Sequence, residues 1–477
     1  MKAPFSPYLE RLAPGMKKLI EILGEKYAYV SVLSTDSKGF AVSISKRAKS
    51  VGHSTMMTER GNVVRVYKDG LYSEFAFDRF DPEAPEKTAE EAIAALERQF
   101  ALIKLTGTSV YETPPLDDEP VSVFEEMETE ILPEETDISA LIEELSRLSD
   151  KGIAAGEHII DCRIRAESTH VCKMFLTANK DMRQSYVYSE GIVLPIAVMN
   201  GANKISHQGV SDRRGPEIFR NMDELVVEAV QTSEELLSAD RIVSGEYEII
   251  TSPEVTGLIA HEAFGHGVEM DMFVKNRALG AHYIDQRVGS DLVTMHEGAA
   301  ADIQVASCAF DDEGTLAGDT VEIENGILRT GVCDALSALR LGTKPTGNGK
   351  RENFEHKVYT RMTNTFFASG NDSLEDMIAS VEHGYLLKGI QSGMEDPKHW
   401  GIQCIVERGY EIKDGKLTGK VVSPIIMTGY VPDLLGSVSM VSKGRELFGG
   451  GGCGKGYKEM VKVSDGGPYM KAKARLG

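Results

Sequence analysis

The segment Ser252 to His266, SPEVTGLIAHEAFGH, constrains the backbone more tightly than any other stretch of this chain. Ser252 is suited to cap a helix, Pro253 fixes φ at the first helical position, and Glu254 puts an acid in the first turn, so a helix is predicted to begin here. It carries His261, Glu262 and His266. Histidines four residues apart share one helical face and can hold a metal while an adjacent glutamate handles a proton. Here the separation is five. At 3.6 residues per turn that amounts to about 500°, leaving the imidazoles roughly 140° apart on an ideal helix. Both rings cannot then reach one ion with bonds of about 2.0 Å. A single π-bulge, bonded i to i+5, would restack them, and Gly265 is the expected place for the backbone to leave α geometry.

Two histidines do not complete an open zinc centre, which has three protein ligands and a position for water. Nearby donors are Glu269 and Asp271 in HGVEMD, then His282 and His296; farther off are Cys404 and Cys453. Cys453 sits in FGGGGCGKGYK, where four glycines permit close backbone approach and Lys455 is placed to lower the thiol pKa. A thiolate also suits a borderline-soft cation. Without the histidine pair, the same stretch reads as a glycine loop with an inert cysteine. The six cysteines are widely spread with no paired short spacing, which predicts reduced thiols rather than a disulfide framework. His53, His158, His170, His207, His356, His383 and His399 are isolated and expected to be surface or hydrogen-bonded residues, with Trp400 a packing residue.

The pattern along the chain predicts an α+β fold. Pro4 to Gly24 carries apolar residues at helical spacing, and Ala28 to Val51 alternates like a hairpin turning at Asp36-Ser37-Lys38-Gly39. Strand follows over Val63 to Phe77 and helix over Thr88 to Ile103. Leu105 to Leu145 holds thirteen acidic residues and no Lys or Arg, read as an exposed acidic connector near 105–136 leading into a helix over Asp137 to Ser149. Ile159 to Met199 is strand-rich, Glu217 to Leu237 an amphipathic helix, and Gly245 to Thr251 a short strand. The expected organisation is a mixed helix/strand N-terminal domain over 1–240 and a β-rich catalytic domain over 241–477. The latter is punctuated by turn signals at Asp312-Glu313-Gly314, Asn325-Gly326, Asn348-Gly349 and Asp414-Gly415.

With 52 Lys+Arg against 73 Asp+Glu, the net charge of −21 repels phosphate polyanions and anionic lipid surfaces, so neither nucleic acid nor membrane is expected as a partner. The longest uncharged run, Gly191 to Asn203, is short of the roughly 20 apolar residues that span a bilayer. Glu10 and Arg11 stand where a secretory leader would be apolar, and a cytoplasmic location is expected.

Taken together, HEAFGHGVEMD, Phe310-Asp311-Asp312-Glu313-Gly314, Glu324-Asn325-Gly326-Ile327-Leu328, Pro345-Thr346-Gly347-Asn348, Arg361-Met362-Thr363-Asn364 and Cys453-Gly454-Lys455 resemble the TldD/PmbA family of metallopeptidases, of the HExxxH-containing TldD type. The resemblance covers the second half. It is looser before residue 240, where it rests on the helix and hairpin layout and the run Ser34 to Arg47. It implies one Zn2+ per chain, or another divalent ion, held by His261, His266 and Cys453, with Glu262 as general base for the attacking water. It further implies cleavage of unfolded or extended peptides, within a homodimer or a heterodimer with a companion subunit. Arg361 and Asn364 would be substrate contacts by the same analogy, against an ordinary ion pair on a strand. The sequence departs from the family after CGK, at Gly456-Tyr457-Lys458 and Ser464-Asp465-Gly466-Gly467-Pro468.

Two other readings compete. Gly449 to Lys455 matches the phosphate-cradling GxxxxGK[ST] signature except at its last position, Gly456, which supplies no hydroxyl for magnesium. A noncatalytic scaffold or modulator subunit would have a structural or absent metal, with Cys404, His282 or Glu269 closing the fourth position.

Overall fold

The computed structural model describes residues 1–52, 59–105, 112–456 and 459–477; His53 and the pair Tyr457-Lys458 lie outside them. The first helix, α1 (Pro7–Gly24), starts where Ser6 accepts hydrogen bonds from the backbone of Tyr8 and Leu9 and Pro7 occupies the first turn. Its buried stripe of Leu9, Leu12, Met16, Leu19 and Leu23 recurs at spacings of three and four, which commits one face to the core.

The strand β1 (Tyr29–Ile44) runs straight through the predicted turn at Asp36 to Gly39. Asp36 is opposite Arg60 on one side and Cys172 on the other. It accepts from Ser6 Oγ at 2.5 Å and Arg60 Nε at 2.9 Å, so the polar run is satisfied by its sheet neighbours. Gly39 is there for proximity, since a Cβ would sit 2.4 Å from Ser168 O. The chain reverses later, where Ser45 N–H donates to Ala48 O.

Around β1 are β2 (Arg60–Lys68), β3 (Leu71–Phe77), α2 (Pro85–Leu105), β4 (Val121–Glu126), α3 (Ile138–Ala155), β5 (Ile159–Leu176), β6 (Lys180–Met199) and α4 (Met222–Leu237). The sheet order is β3-β2-β1-β5-β6-β4. The acidic stretch is therefore more than a connector: β4 adds parallel to β6 at the sheet edge. Asp137 caps α3 by accepting from Ala140 N–H, as its position before an apolar run predicts.

Alternation along β1 and β2 sends the two faces to different partners. Val30, Val32, Val64 and Val66 pack beneath α1 and α2, and Phe40, Val42 and Ile44 beneath α3 and α4. On the opposite face Leu33 and Phe175 meet Phe310 of the second half. Arg65 on that face binds Glu74 at 2.8 Å and also Glu313, while Lys173 binds Asp312. The Asp-Asp-Glu-Gly segment does turn, with Gly314 at φ 71°, but its acids are buried as counter-ions to the first sheet.

The second half contains β7 (Gly245–Thr251), α5 (Pro253–Leu258), β8 (Met295–Glu297), β9 (Asn364–Phe367), β10 (His383–Asp396), β11 (Gly401–Lys413), β12 (Ile425–Tyr430), β13 (Gly452–Lys455), β14 (Glu459–Lys462), β15 (Ser464–Gly467) and β16 (Met470–Leu476). β7 pairs with both β10 and β16, so the order β7-β10-β11-β12-β16 closes into a ring. A separate sheet contains β8, β9 and β15. Asn325-Gly326 and Asp414-Gly415 take the positive φ their turns require. Asn348-Gly349 does not: the positive φ is at Gly347, and Asn348 is buried, donating to Glu297 Oε1 at 2.9 Å and Arg361 O at 3.0 Å. Among the described residues no helix is long and apolar enough to cross a membrane.

Replacing Arg65 by Ala strands Glu313 without its buried counter-ion, and a loss of about 3–5 kcal/mol is expected. Urea unfolding of wild type and R65A measures it; a change below about 1 kcal/mol would contradict the role given to this ion pair.

Candidate metal centre

The helix begun at Ser252 changes hand-hold after one turn. Ile259–Gly265 is a π-helix, and the His266 N–H donates to His261 O, the i to i+5 bond that the histidine spacing demands. The rings consequently meet, with centroids 5.1 Å apart and planes at 87°. Gly265 has φ −54° and ψ −51°, ordinary right-handed values, so its backbone freedom is not used. Its lack of a side chain is: a Cβ would lie 2.2 Å from Met362 Sδ. The segment is anchored by Val255, Ile259, Ala260, Ala263 and Phe264 in the core beside Trp400. Gly257 allows the backbone of β15 to pass, since a Cβ there would be 2.5 Å from Gly466 N.

Cys453 reaches the rings from the hairpin β13–β14. Donor atoms of His261, His266 and Cys453 lie within 4.8 Å of one another, and Cys453 Sγ is 3.3 Å from His266 Nε2. Arg361 fixes this hairpin, donating to Cys453 O at 2.6 Å and Glu459 O at 3.0 Å. It is 1% exposed, and Asn364 is equally buried, donating to Gly298 O, Asp302 O and Ser307 Oγ. Neither lines the cleft; both brace its walls. The first sheet contributes too: Gly449 N–H donates to Ser211 Oγ at 2.8 Å, and Glu190 on β6 pairs with Lys462.

Glu269 accepts from His266 Nδ1 at 2.9 Å, which orients the ring with Nε2 toward the thiol. Lys455 binds Glu269 at 3.0 Å and Asp271 at 2.7 Å. This corrects the expectation that Lys455 activates the cysteine and removes it from a phosphate-binding role. Burial alone would push the Cys453 thiol up, but the charges and hydrogen bonds of His261 and His266 outweigh it and bring it down to about 4. Burial opposes charging of His266, yet the Glu269 carboxylate and the Cys453 hydrogen bond hold its pKa well above the usual value. Burial would likewise raise Glu269, but Lys455 and His266 bring it down to about 2.

A soft sulfur and two imidazoles, with His261 Nδ1 buried and without a hydrogen-bond partner, fit a borderline-soft divalent ion. The remaining candidate donors are elsewhere: His296 pairs with Asp319, Glu269 serves His266, and neither Cys404 nor His282 belongs to the cluster. The three ligand candidates open into a cleft of about 830 Å³ whose wall also includes Glu262, Glu395 and Asp465. Glu262 is half-buried and packs against β10, where a Cβ on Gly393 would be 2.4 Å from Glu262 Cγ. Asp465 Oδ2 lies 3.9 Å from His261 Nδ1, and burial pushes its pKa up to about 6. Sequence reasoning missed Asp465 and Glu395 as wall residues; the only local signal was the departure from the family pattern around Asp465.

Other isolated histidines have local partners, His158 with Glu234, His170 with Glu134 and His399 with Asp396. Trp400 is completely buried against Phe264 and Tyr283, as a packing residue should be.

Residues 244–474 match the family described as PmbA/TldA metallopeptidase C-terminal domain. A metalloprotease of Methanocaldococcus jannaschii is 35% identical over 54% of this chain and 57% of its own length. A zinc metalloprotease TldD homolog of Saccharolobus solfataricus is 30% identical over 48% of this chain and 51% of its own length. The chain thus spans little more than half of these curated relatives. Among solved structures, TldE from Thermococcus kodakarensis superposes with a TM-score of 0.75 at 18% identity, over 97% of this chain and 100% of that one, a likeness of fold.

The lowered Cys453 pKa means that metal-free protein carries a thiolate above about pH 4 and loses it as the pH falls through that value. The 240 nm absorbance difference between metal-free wild type and C453A should titrate near pH 4, and a midpoint close to the ordinary thiol value of about 8.5 would refute it. Because His266 is held protonated, Zn2+ binding at pH 7 should release protons, seen as apparent enthalpies that differ between buffers of unequal ionisation enthalpy.

Proposed function

We propose that the chain belongs, through its C-terminal half, to the TldD/PmbA family and is a peptidase that hydrolyses unfolded or extended peptides, with one divalent ion, zinc foremost, held by His261, His266 and Cys453. The observation that carries this reading is the convergence of three mutually close donor atoms beside an unpaired carboxylate at the base of one cleft. An ion bound there would supply Lewis acidity, polarising a peptide carbonyl and acidifying a water molecule. Glu262 acts as general base: among the described residues none hydrogen-bonds its carboxylate, which leaves it available to take a proton and later return it to the leaving amine. The role of Glu269 is indirect: its bond to Nδ1 would keep that nitrogen protonated and leave Nε2 to an ion once one binds. Thiolate ligation reduces the net charge of the centre to about +1, giving a milder electrophile than an all-histidine site.

Substrate delivery follows from the sheet. β7 pairs with β10 only over Gly384 to Leu387, and β11 occupies the other edge as far as Asp396. Among the described residues the rest of the first edge has no ladder partner, and it runs past Gly393 and Glu262. An extended peptide can add to this edge through its backbone, which favours unfolded over folded substrates. A second copy of this chain or a companion subunit of TldE type would shelter the cleft and enforce that choice.

A noncatalytic modulator would have either a structural metal in a closed centre or no metal; the occupation of Glu269 by His266 and Lys455 argues against the closed centre, and metal content tests the other. E262A is expected to keep its metal and lose about 10²- to 10⁴-fold in turnover, whereas C453A loses the metal. Elemental analysis beside a peptide-cleavage assay, with and without chelator, separates the two; full zinc occupancy and full activity in both variants would refute the assignment. A disordered protein such as casein should be degraded while a tightly folded one survives, and equal rates would remove the sheltered-cleft argument.

A further inference from the structure

The cations around the cleft leave two acids on its wall, Glu262 and Glu395, without a counter-ion. Lys455 is held by Glu269 and Asp271, and Lys275 by Asp271 at 3.0 Å. Lys357 lies 4.2 Å from the centre of the Tyr359 ring. Glu395 differs from the other acids here. It lies on β10 two residues beyond Gly393, and alternation turns both toward the histidine helix. The helix side of this contact is Gly267, whose Cβ, if present, would be 2.5 Å from Glu395 Oε1 and 2.8 Å from Trp400 Nε1. Both Glu395 oxygens are buried and, among the described residues, neither accepts a hydrogen bond nor forms an ion pair; the Trp400 N–H is equally unpartnered. Burial without a counter-ion holds the Glu395 carboxyl well above the usual carboxylate range, and an arriving cation favours its charged form and gains a charged partner.

We infer that Glu395 is a recognition carboxylate for a positively charged nitrogen of the substrate, either the α-ammonium of a peptide or a Lys or Arg side chain close to the scissile bond. This rests on the peptidase reading above. Gly393 abuts Glu262, and two strand residues advance about 7 Å, so the cation sits within roughly two residues of the bond that is cut. The chain's −21 charge draws such substrates toward it, and Glu395 selects among them at contact. Gly267 is required for this arrangement, since any side chain there would occupy the space of the carboxylate and the indole.

The test changes the peptide first and the protein second. A disordered fluorogenic peptide of neutral residues is prepared in four forms: N-acetylated, with a free α-amine, acetylated with one Lys scanned across the cleavage site, and acetylated with norleucine in place of that Lys. Zinc-loaded wild type should cleave a cationic form with kcat/KM roughly 10- to 100-fold above its neutral counterpart, the usual worth of a hydrogen bond to a charged group. Preference for the free amine identifies the terminus as the ligand, and preference for Lys identifies a side chain. Equal rates for all four forms overturn the proposal. In E395Q the ratio should fall to near one; an unchanged ratio shows that another group selects the cation and also overturns it. Binding of the same labelled peptides to E262Q and to E262Q/E395Q, read by anisotropy, separates this inference from the peptidase reading. Glu395-dependent preference in binding without cleavage by wild type would retain the subsite and reject the activity, whereas cleavage without preference does the reverse.

Discussion

One backbone hydrogen bond, from His266 N–H to His261 O, organises everything around it. With α geometry the two imidazoles would diverge and Cys453 would have no pair to complete. The π segment stacks them, and the surrounding structure stabilises that departure from α. Phe264, Ala260 and Ala263 are locked into the ring-sheet core, and Gly265 lets Met362 press against the bulge. A strained-looking spacing in the sequence is thus the local signature of a site whose distant half is supplied by another element.

The supporting shell is built from charge arranged in sequence. Lys455 neutralises Glu269, Glu269 orients His266, and the imidazole, together with His261, holds the thiol as thiolate. Each group stabilises the charge of its neighbour, while His261 Nδ1 is buried without a partner. Glu262 and Glu395 stand outside this chain of compensation. They face the cleft without partners of their own.

Much of this was legible locally. The strand Gly245–Thr251, the proline that opens the following helix, and the need for a π turn follow from short-range rules, and the structure contains all three; Ser252 stands at the N-cap position, but its hydroxyl makes no capping hydrogen bond. The failures are non-local. Asp36 to Gly39 has turn composition, yet its polar groups are satisfied by Ser6 and Arg60 and it remains strand. The edge strand Val121–Glu126 is hidden in acidic sequence because its hydrogen bonds come from β6. Asp312 and Glu313 read as turn acids because nothing nearby indicates that Lys173 and Arg65 will bury them. Lys455 follows the same rule: adjacency to Cys453 suggested one partner, and the fold supplied two others. Glu395 and Asp465 are single acids on strands, where no periodicity or spacing marks them.

The long separation between the histidine turn and Cys453 has a consequence for synthesis of the protein. His261 and His266 emerge from the ribosome well before Cys453, and the hairpin that holds the sulfur is braced by the sheet that contains Glu190 as well as by Arg361. A growing chain that has not reached that hairpin has only an incomplete ligand set, however much of its core has condensed. Translation order therefore defers assembly of the candidate metal centre until the hairpin carrying Cys453 has been made, 187 residues after His266.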